Sequence, residues 1–153
     1  MLEYQIPLTI GTNFKNAILL PQVLQVLEKL KSTNYLLYIA SSAHTRHIRG
    51  IIEGTGLTKY FDQIYGFDNL EFMKSDKKFF RALFASQDFP SSKYVVIGNS
   101  AQEIIHSKSL GARTILIKHE LGDRGEEKDL IKQAFDVADV VCETVEEILE
   151  ILP

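Results

Sequence analysis

The sequence predicts an α/β protein: a Rossmann-like parallel sheet of five or six strands, covered by helices on both faces as a three-layer α/β/α sandwich. Three observations carry this. Short, continuously apolar runs of strand length recur along the chain, as expected of strands buried on both faces. They alternate with longer stretches whose apolar residues repeat at helical spacing, the pattern of strands joined by crossover helices. The length of 153 residues suits one domain, taken here as 1–153, with no spare length for a second.

The elements follow in order. Tyr4 to Ile10 is the first strand candidate. From Pro21 to Lys31, Val23, Leu24, Leu27 and Leu30 share one helical face, with Pro21 suited to a first turn. Tyr35 to Ala40 reads as a buried strand. His44 to Gly54 is a helix with Ile48, Ile51 and Ile52 facing inward, stopped by Gly54 and Gly56. Ile64 to Phe67 is a short strand. Ser75 to Gln87 is a helix carrying Phe79, Phe80, Leu83 and Phe84, and Pro90 bars its continuation. Tyr94 to Ile97 is a strand, Ser100 to Leu110 a helix ended by Gly111, and Thr114 to Ile117 a strand. Lys128 to Phe135, Val137 to Cys142 and Val145 to Leu152 close the chain as helix, strand and helix.

Composition narrows the function. Apolar residues make up 45% and charged ones 24%, ordinary for a globular protein. With 20 acids against 17 Lys and Arg and no block of like charge, a nucleic-acid partner is not expected. No apolar run reaches the ~20 residues of a membrane span, and the start, with Glu3 and Pro7, does not read as a secretory leader. One cysteine, Cys142, leaves no internal disulfide and points to the cytoplasm.

Ligands of open parallel sheets bind beyond the C-terminal ends of the strands. The residues there are Gly11-Thr12-Asn13, Ser41-Ser42 and Gly98-Asn99-Ser100, with Lys74 in a preceding connection. Small polar residues at such turns expose backbone N–H groups that suit phosphate or another anion. Ser41, Ser42, Lys74, Asn99 and Ser100 are therefore the candidate phosphate-binding residues.

These stretches also resemble a known family. Ile39-Ala40-Ser41-Ser42, leading to Gly56-Leu57-Thr58-Lys59-Tyr60-Phe61-Asp62, is similar to the second motif of the haloacid dehalogenase superfamily. Met73-Lys74-Ser75-Asp76 resembles its third motif, with the lysine at Lys74. Val95-Val96-Ile97-Gly98-Asn99-Ser100-Ala101-Gln102-Glu103 resembles its fourth, and Ala138-Asp139-Val140-Val141 its last strand. The likeness runs from about Leu20 to the C-terminus.

The resemblance implies phosphoryl transfer through an aspartyl nucleophile, a second aspartate two residues on as acid/base, and Mg2+ held by the first and fourth motifs. Aligning Gly11-Thr12 with the family's Gly-Thr pair puts Leu8 at the nucleophile position and Ile10 at the acid/base position. Neither side chain attacks phosphorus or carries a proton. No Asp or Glu occurs between Glu3 and Glu28. In the fourth motif Asn99 stands where the family has a metal-binding aspartate, leaving Glu103 as the one acid; Asn99 and Glu103 are a weak or lost Mg2+ site. Asn13 to Leu20 and Gln63 to Met73 are each too short for the family's cap, so a capless core is expected.

The leading expectation is a non-catalytic, pseudo-phosphatase-like member without a cofactor, which binds a phosphorylated or acidic ligand, a protein partner or a second copy. The alternative is a phosphohydrolase working on phosphate esters with Mg2+ by an altered mechanism. Lys74, deprived of its aspartate, must pair with Glu103, turn to solvent or meet an anion. His44, Arg46, His47 and Arg49 crowd the start of one helix, where cations are unfavourable; they are either a solvated face or recruiters of an anion. His44 and His47 are spaced as half a zinc site that nothing nearby completes. Seven of nine phenylalanines lie between Phe61 and Phe89; most belong to the core, while Phe67 and Phe72 are the pair expected at the surface.

Overall fold

The computed structural model describes residues 19, 22–118, 121 and 125–152. The strand candidate Tyr4 to Ile10, with Leu8 and Ile10, lies outside them, as do Pro21 and His119. The described elements are α1 (Val23–Ser32), β1 (Tyr38–Ala40), α2 (Thr45–Gly54), β2 (Gln63–Tyr65), α3 (Phe67–Leu70), α4 (Lys77–Ala85), β3 (Val95–Gly98), α5 (Ala101–Ser109), β4 (Arg113–Ile117), α6 (Lys128–Val137), β5 (Val140–Cys142) and α7 (Ile148–Ile151). Single 3-10 turns occupy Thr58–Tyr60 and Ser91–Lys93. Every described strand pairing is parallel, and helices separate the paired strands, so the chain has the α/β fold its pattern predicts. No helix among the described residues is long and apolar enough to cross a membrane.

The chain forms two compact units. The first holds the described residues of Met1–Met73 and Leu149–Pro153. Its strands β1 and β2 pair Tyr38 with Gln63 and Ala40 with Tyr65. Ile52, Leu57 and Tyr60 form its core, with Leu27, Ile39 and Ile64 packed against them. The strand expected from Tyr35 begins only at Tyr38. Asp62, 25 residues on, is the reason: its Oδ2 accepts the N–H of Leu37 at 2.8 Å, and both its oxygens are held by Lys31 Nζ at 2.9 and 2.7 Å. Phe67, expected to end a strand, instead opens α3, because Asn69 Oδ1 accepts the N–H of Gly66 at 2.8 Å and starts the turn.

The second unit is Lys74–Ile148. Its strand order is β3-β4-β5, pairing Val95 with Arg113 and Ile115 with Val140. Ala101, Ile104, Leu116 and Ala134 are fully buried between α5, β4 and α6. Phe79 and Phe80 on α4 are fully buried as well, and Phe84 stacks on Tyr94 at 4.6 Å between ring centres. Val137, expected in a strand, completes α6 instead, since it packs on this core and Ala138 closes the helix through its bond to Ala134 O. Cys142 is buried in the apolar end of β5. Burial, with Glu147 nearby, raises its thiol above the usual value, so it packs as a small hydrophobe.

Carboxylates brace both units. Asp139 accepts from Lys108 at 2.5 Å and from the N–H of Thr114 at 2.8 Å; the lysine first, then the threonine, lowers its pKa. Lys31 does the same for Asp62. A folded pKa below the unfolded value means stability that is full above about pH 4 and lost as pH falls through the folded value. His106 acts in the other part of the scale. Burial above all, and then Lys77, lowers its pKa against the pull of Asp76, and its Nδ1 has no hydrogen-bond partner among the described residues. The unfolded chain therefore takes the histidine proton first, and stability falls as pH drops below about 6.5. Melting temperature followed from pH 7 to 3 should show two steps of loss. His106→Gln is expected to remove the upper step and leave the lower one; an unchanged upper step would show that another group causes it.

Candidate functional site

In the second unit the fourth-motif turn is built on Gly98, the last residue of β3, and Ser100, the N-cap of α5. Glu103, in the first turn of α5, is buried, its side chain only 4% exposed. A carboxylate in that position needs a positive partner, and the structure supplies Lys74, whose Nζ lies 2.5 Å from Glu103 Oε2 with 21% of the side chain exposed. Gly98 is what lets the two meet. A Cβ at Gly98 would overlap Glu103 Oε1, so the carboxylate lies over the bare backbone at the end of the strand. Of the three fates open to Lys74 in the sequence, the ion pair with Glu103 is the one present.

The N-terminus of α5, read from the sequence as an anion site, is already filled. Glu126 Oε1 accepts the Ser100 hydroxyl at 2.9 Å and the N–H of Ala101 at 2.8 Å. A carboxylate there answers both the free N–H groups and the helix dipole. The hydroxyl of Ser100, a candidate phosphate ligand in the sequence, donates to this internal acid. Asn99, half-buried beside it, brings a neutral amide.

The first unit repeats the arrangement at α2. Ser41 extends the strand ladder through its N–H to Tyr65 O at 2.9 Å, and its Oγ accepts the N–H of Ala43 at 3.0 Å. Ser42 follows, half-buried. Asp68 then closes the helix N-terminus, accepting the N–H of Thr45 at 2.8 Å and its hydroxyl at 2.7 Å. Burial raises the Asp68 pKa, but the two Thr45 bonds and nearby His44 outweigh it and the net shift is downward. His44 is the N-cap, its Nδ1 accepting the N–H of Arg46 at 3.2 Å. Its ring meets the edge of Phe67, which is 41% exposed, at 5.7 Å. His44 thus has a structural role that spacing does not reveal: it caps the helix, with Asp68 Oδ2 at 3.5 Å from its Nδ1.

Asp68 and Glu126 are the residues that sequence reading missed, and Gly98 is named there only as part of the turn. The two acids reach their helices across 23 and 25 residues, a separation with no local pattern. Gly98 carried a readable signal, a glycine at a strand end five residues before a glutamate.

Mg2+, which the family resemblance implies, needs hard oxygen donors with net negative charge. The described fourth-motif donors are a neutral amide and one carboxylate already neutralised by an ammonium. No group of three His, Cys, Asp or Glu suited to a metal occurs among the described residues, which also leaves His44 and His47 without a third ligand. These residues do not fit the ion.

Parallel strands joined through helices define an α/β class of protein, and comparison with known proteins identifies the family. The model of the haloacid dehalogenase-like hydrolases matches residues 9–117. The chain belongs to that family. A phosphoglycolate phosphatase of Mesorhizobium japonicum is 24% identical over 104 residues, 68% of this chain and 46% of that protein. One of Haemophilus influenzae is 26% identical over 106 residues, 69% of this chain and 47% of that protein. The chain thus spans about half the length of the curated relatives it matches. Among solved structures, a predicted phosphoglycolate phosphatase of Haemophilus somnus superposes with a TM-score of 0.80 at 22% identity, covering 99% of this chain and 65% of that one. A HAD phosphatase of Thermococcus onnurineus gives 0.70 at 25% identity over 88% of this chain and 58% of its own.

Proposed function

We propose that this chain is a non-catalytic member of the family, kept for binding rather than for phosphoryl transfer. The observation that carries the reading is the buried pair of Lys74 and Glu103. The lysine that in relatives would balance a nucleophile's charge is spent on the acid that would hold a metal, and Asn99 beside them is neutral. The acid-free stretch from Gln5 to Leu27 points the same way.

The geometry favours a protein partner over a small anion. Two helix N-termini that suit phosphate each hold a carboxylate of the chain itself, Asp68 on α2 and Glu126 on α5, and a phosphate must displace one to enter. The single buried cysteine is in keeping with a cytoplasmic protein.

A second reading rests on the relatives. Those matched over about 105 residues are phosphoglycolate phosphatases, which makes a phosphohydrolase of altered mechanism the alternative. An assay with p-nitrophenyl phosphate, with and without Mg2+, separates the two. No metal-dependent turnover is expected; turnover with Mg2+ that Lys74→Ala abolishes would overturn the non-catalytic reading.

A further inference from the structure

We infer that Lys74 stands in for the metal at Glu103: its tethered ammonium supplies the positive charge, and the place is closed to divalent cations. The inference rests on the reading of the chain as non-catalytic and states what became of the family's metal position.

Four features support it. Glu103 is too buried to stay charged without a counter-ion, and the ammonium at 2.5 Å provides one. Its other oxygen lies against the end of β3, in space that only glycine at 98 leaves open, so a cation approaching Glu103 has to expel Lys74. Mg2+ sheds its waters reluctantly and competes poorly with a charge already fixed on the chain, whose effective concentration is high. With Asn99 neutral, nothing among the described fourth-motif donors makes up the missing negative charge.

The test is the melting temperature of the full chain with and without millimolar Mg2+, against a salt control of equal ionic strength. Wild type is expected to show no response to Mg2+. Lys74→Met takes the ammonium away from a buried carboxylate and should melt about 10 °C lower, the scale of a broken buried ion pair in a chain of this size. Because the ammonium no longer occupies the place beside Glu103, Mg2+ should restore part of that loss. In Lys74→Met with Glu103→Gln, much of the loss should return without Mg2+, and the response to Mg2+ should disappear.

A wild-type stabilisation by Mg2+ that Glu103→Gln abolishes would overturn the inference. So would equal melting of Lys74→Met and the double variant. If Lys74→Met does not fold, calorimetric titration of Mg2+ into wild type and Glu103→Gln decides: no heat of binding in either supports the stand-in, and heat in wild type alone refutes it. A wild type that binds Mg2+ at Glu103 yet turns over no phosphate ester would end this inference and leave the non-catalytic reading standing. Turnover without any Mg2+ response would do the reverse.

Discussion

Alanine at Gly98 should lower the stability of the chain by about 3 kcal/mol, and the loss should nearly vanish once Glu103 is alanine as well. The added methyl group would occupy the position of Glu103 Oε1 and crowd Cδ and Cγ. Backbone strain is not involved, because Gly98 is in the extended strand β3. The carboxylate is the end of a flexible chain and can swing aside, but doing so breaks its 2.5 Å pair with Lys74 and leaves one buried charge or two badly placed ones. The cost is thus that of the ion pair rather than of the methyl group. Denaturant unfolding of wild type, both single variants and the double gives the coupling directly. Additive losses would show that Gly98 matters for some reason other than making room for Glu103.

How far the sequence could be read depends on how local each cause is. Helices α1, α2, α4, α5 and α6 were legible because their apolar spacing is a local consequence of burying one face, and their ends moved by only a few residues. Strand β1 was read too long at its start, since apolar character alone does not show that the Leu37 N–H is taken by Asp62, 25 residues on. Phe67 was misplaced for a similar reason: an aromatic residue fits a strand end, and only the bond from Gly66 to Asn69 marks the turn. Among the candidate site residues, charge logic gives Lys74 three fates, and the pair with Glu103 is one of them. What the motifs could not give was the source of the capping charge. Asp68 and Glu126 sit in connections whose residues have no required spacing from the helices they close. An empty anion site and a self-filled one therefore look identical in sequence.

Alanine at Gly66 should cost about as much as at Gly98, but without rescue from any single second change. Here a Cβ would sit 2.5 Å from the carbonyl oxygen of Ala43, 2.8 Å from Asp68 Oδ1 and 3.1 Å from Thr45 Cγ2. The first of these is backbone, which cannot rotate away, and Asp68 is tied to Thr45 by two bonds under 3 Å. To admit the methyl group, the turn from β2 into α3 must move away from the start of α2, and Asp68 then leaves the helix it caps. Loss of such a cap is itself worth about 1 kcal/mol, and the backbone overlap adds the larger share. Asp68→Ala with Gly66→Ala removes only the carboxylate part of the clash, so that pair should remain far below wild type in denaturant unfolding. If Asp68→Ala instead restored the Gly66→Ala variant, the Ala43 carbonyl would not be the main obstacle. The contrast with Gly98 separates two uses of glycine at a strand end: one makes room for a charge, the other for the chain itself.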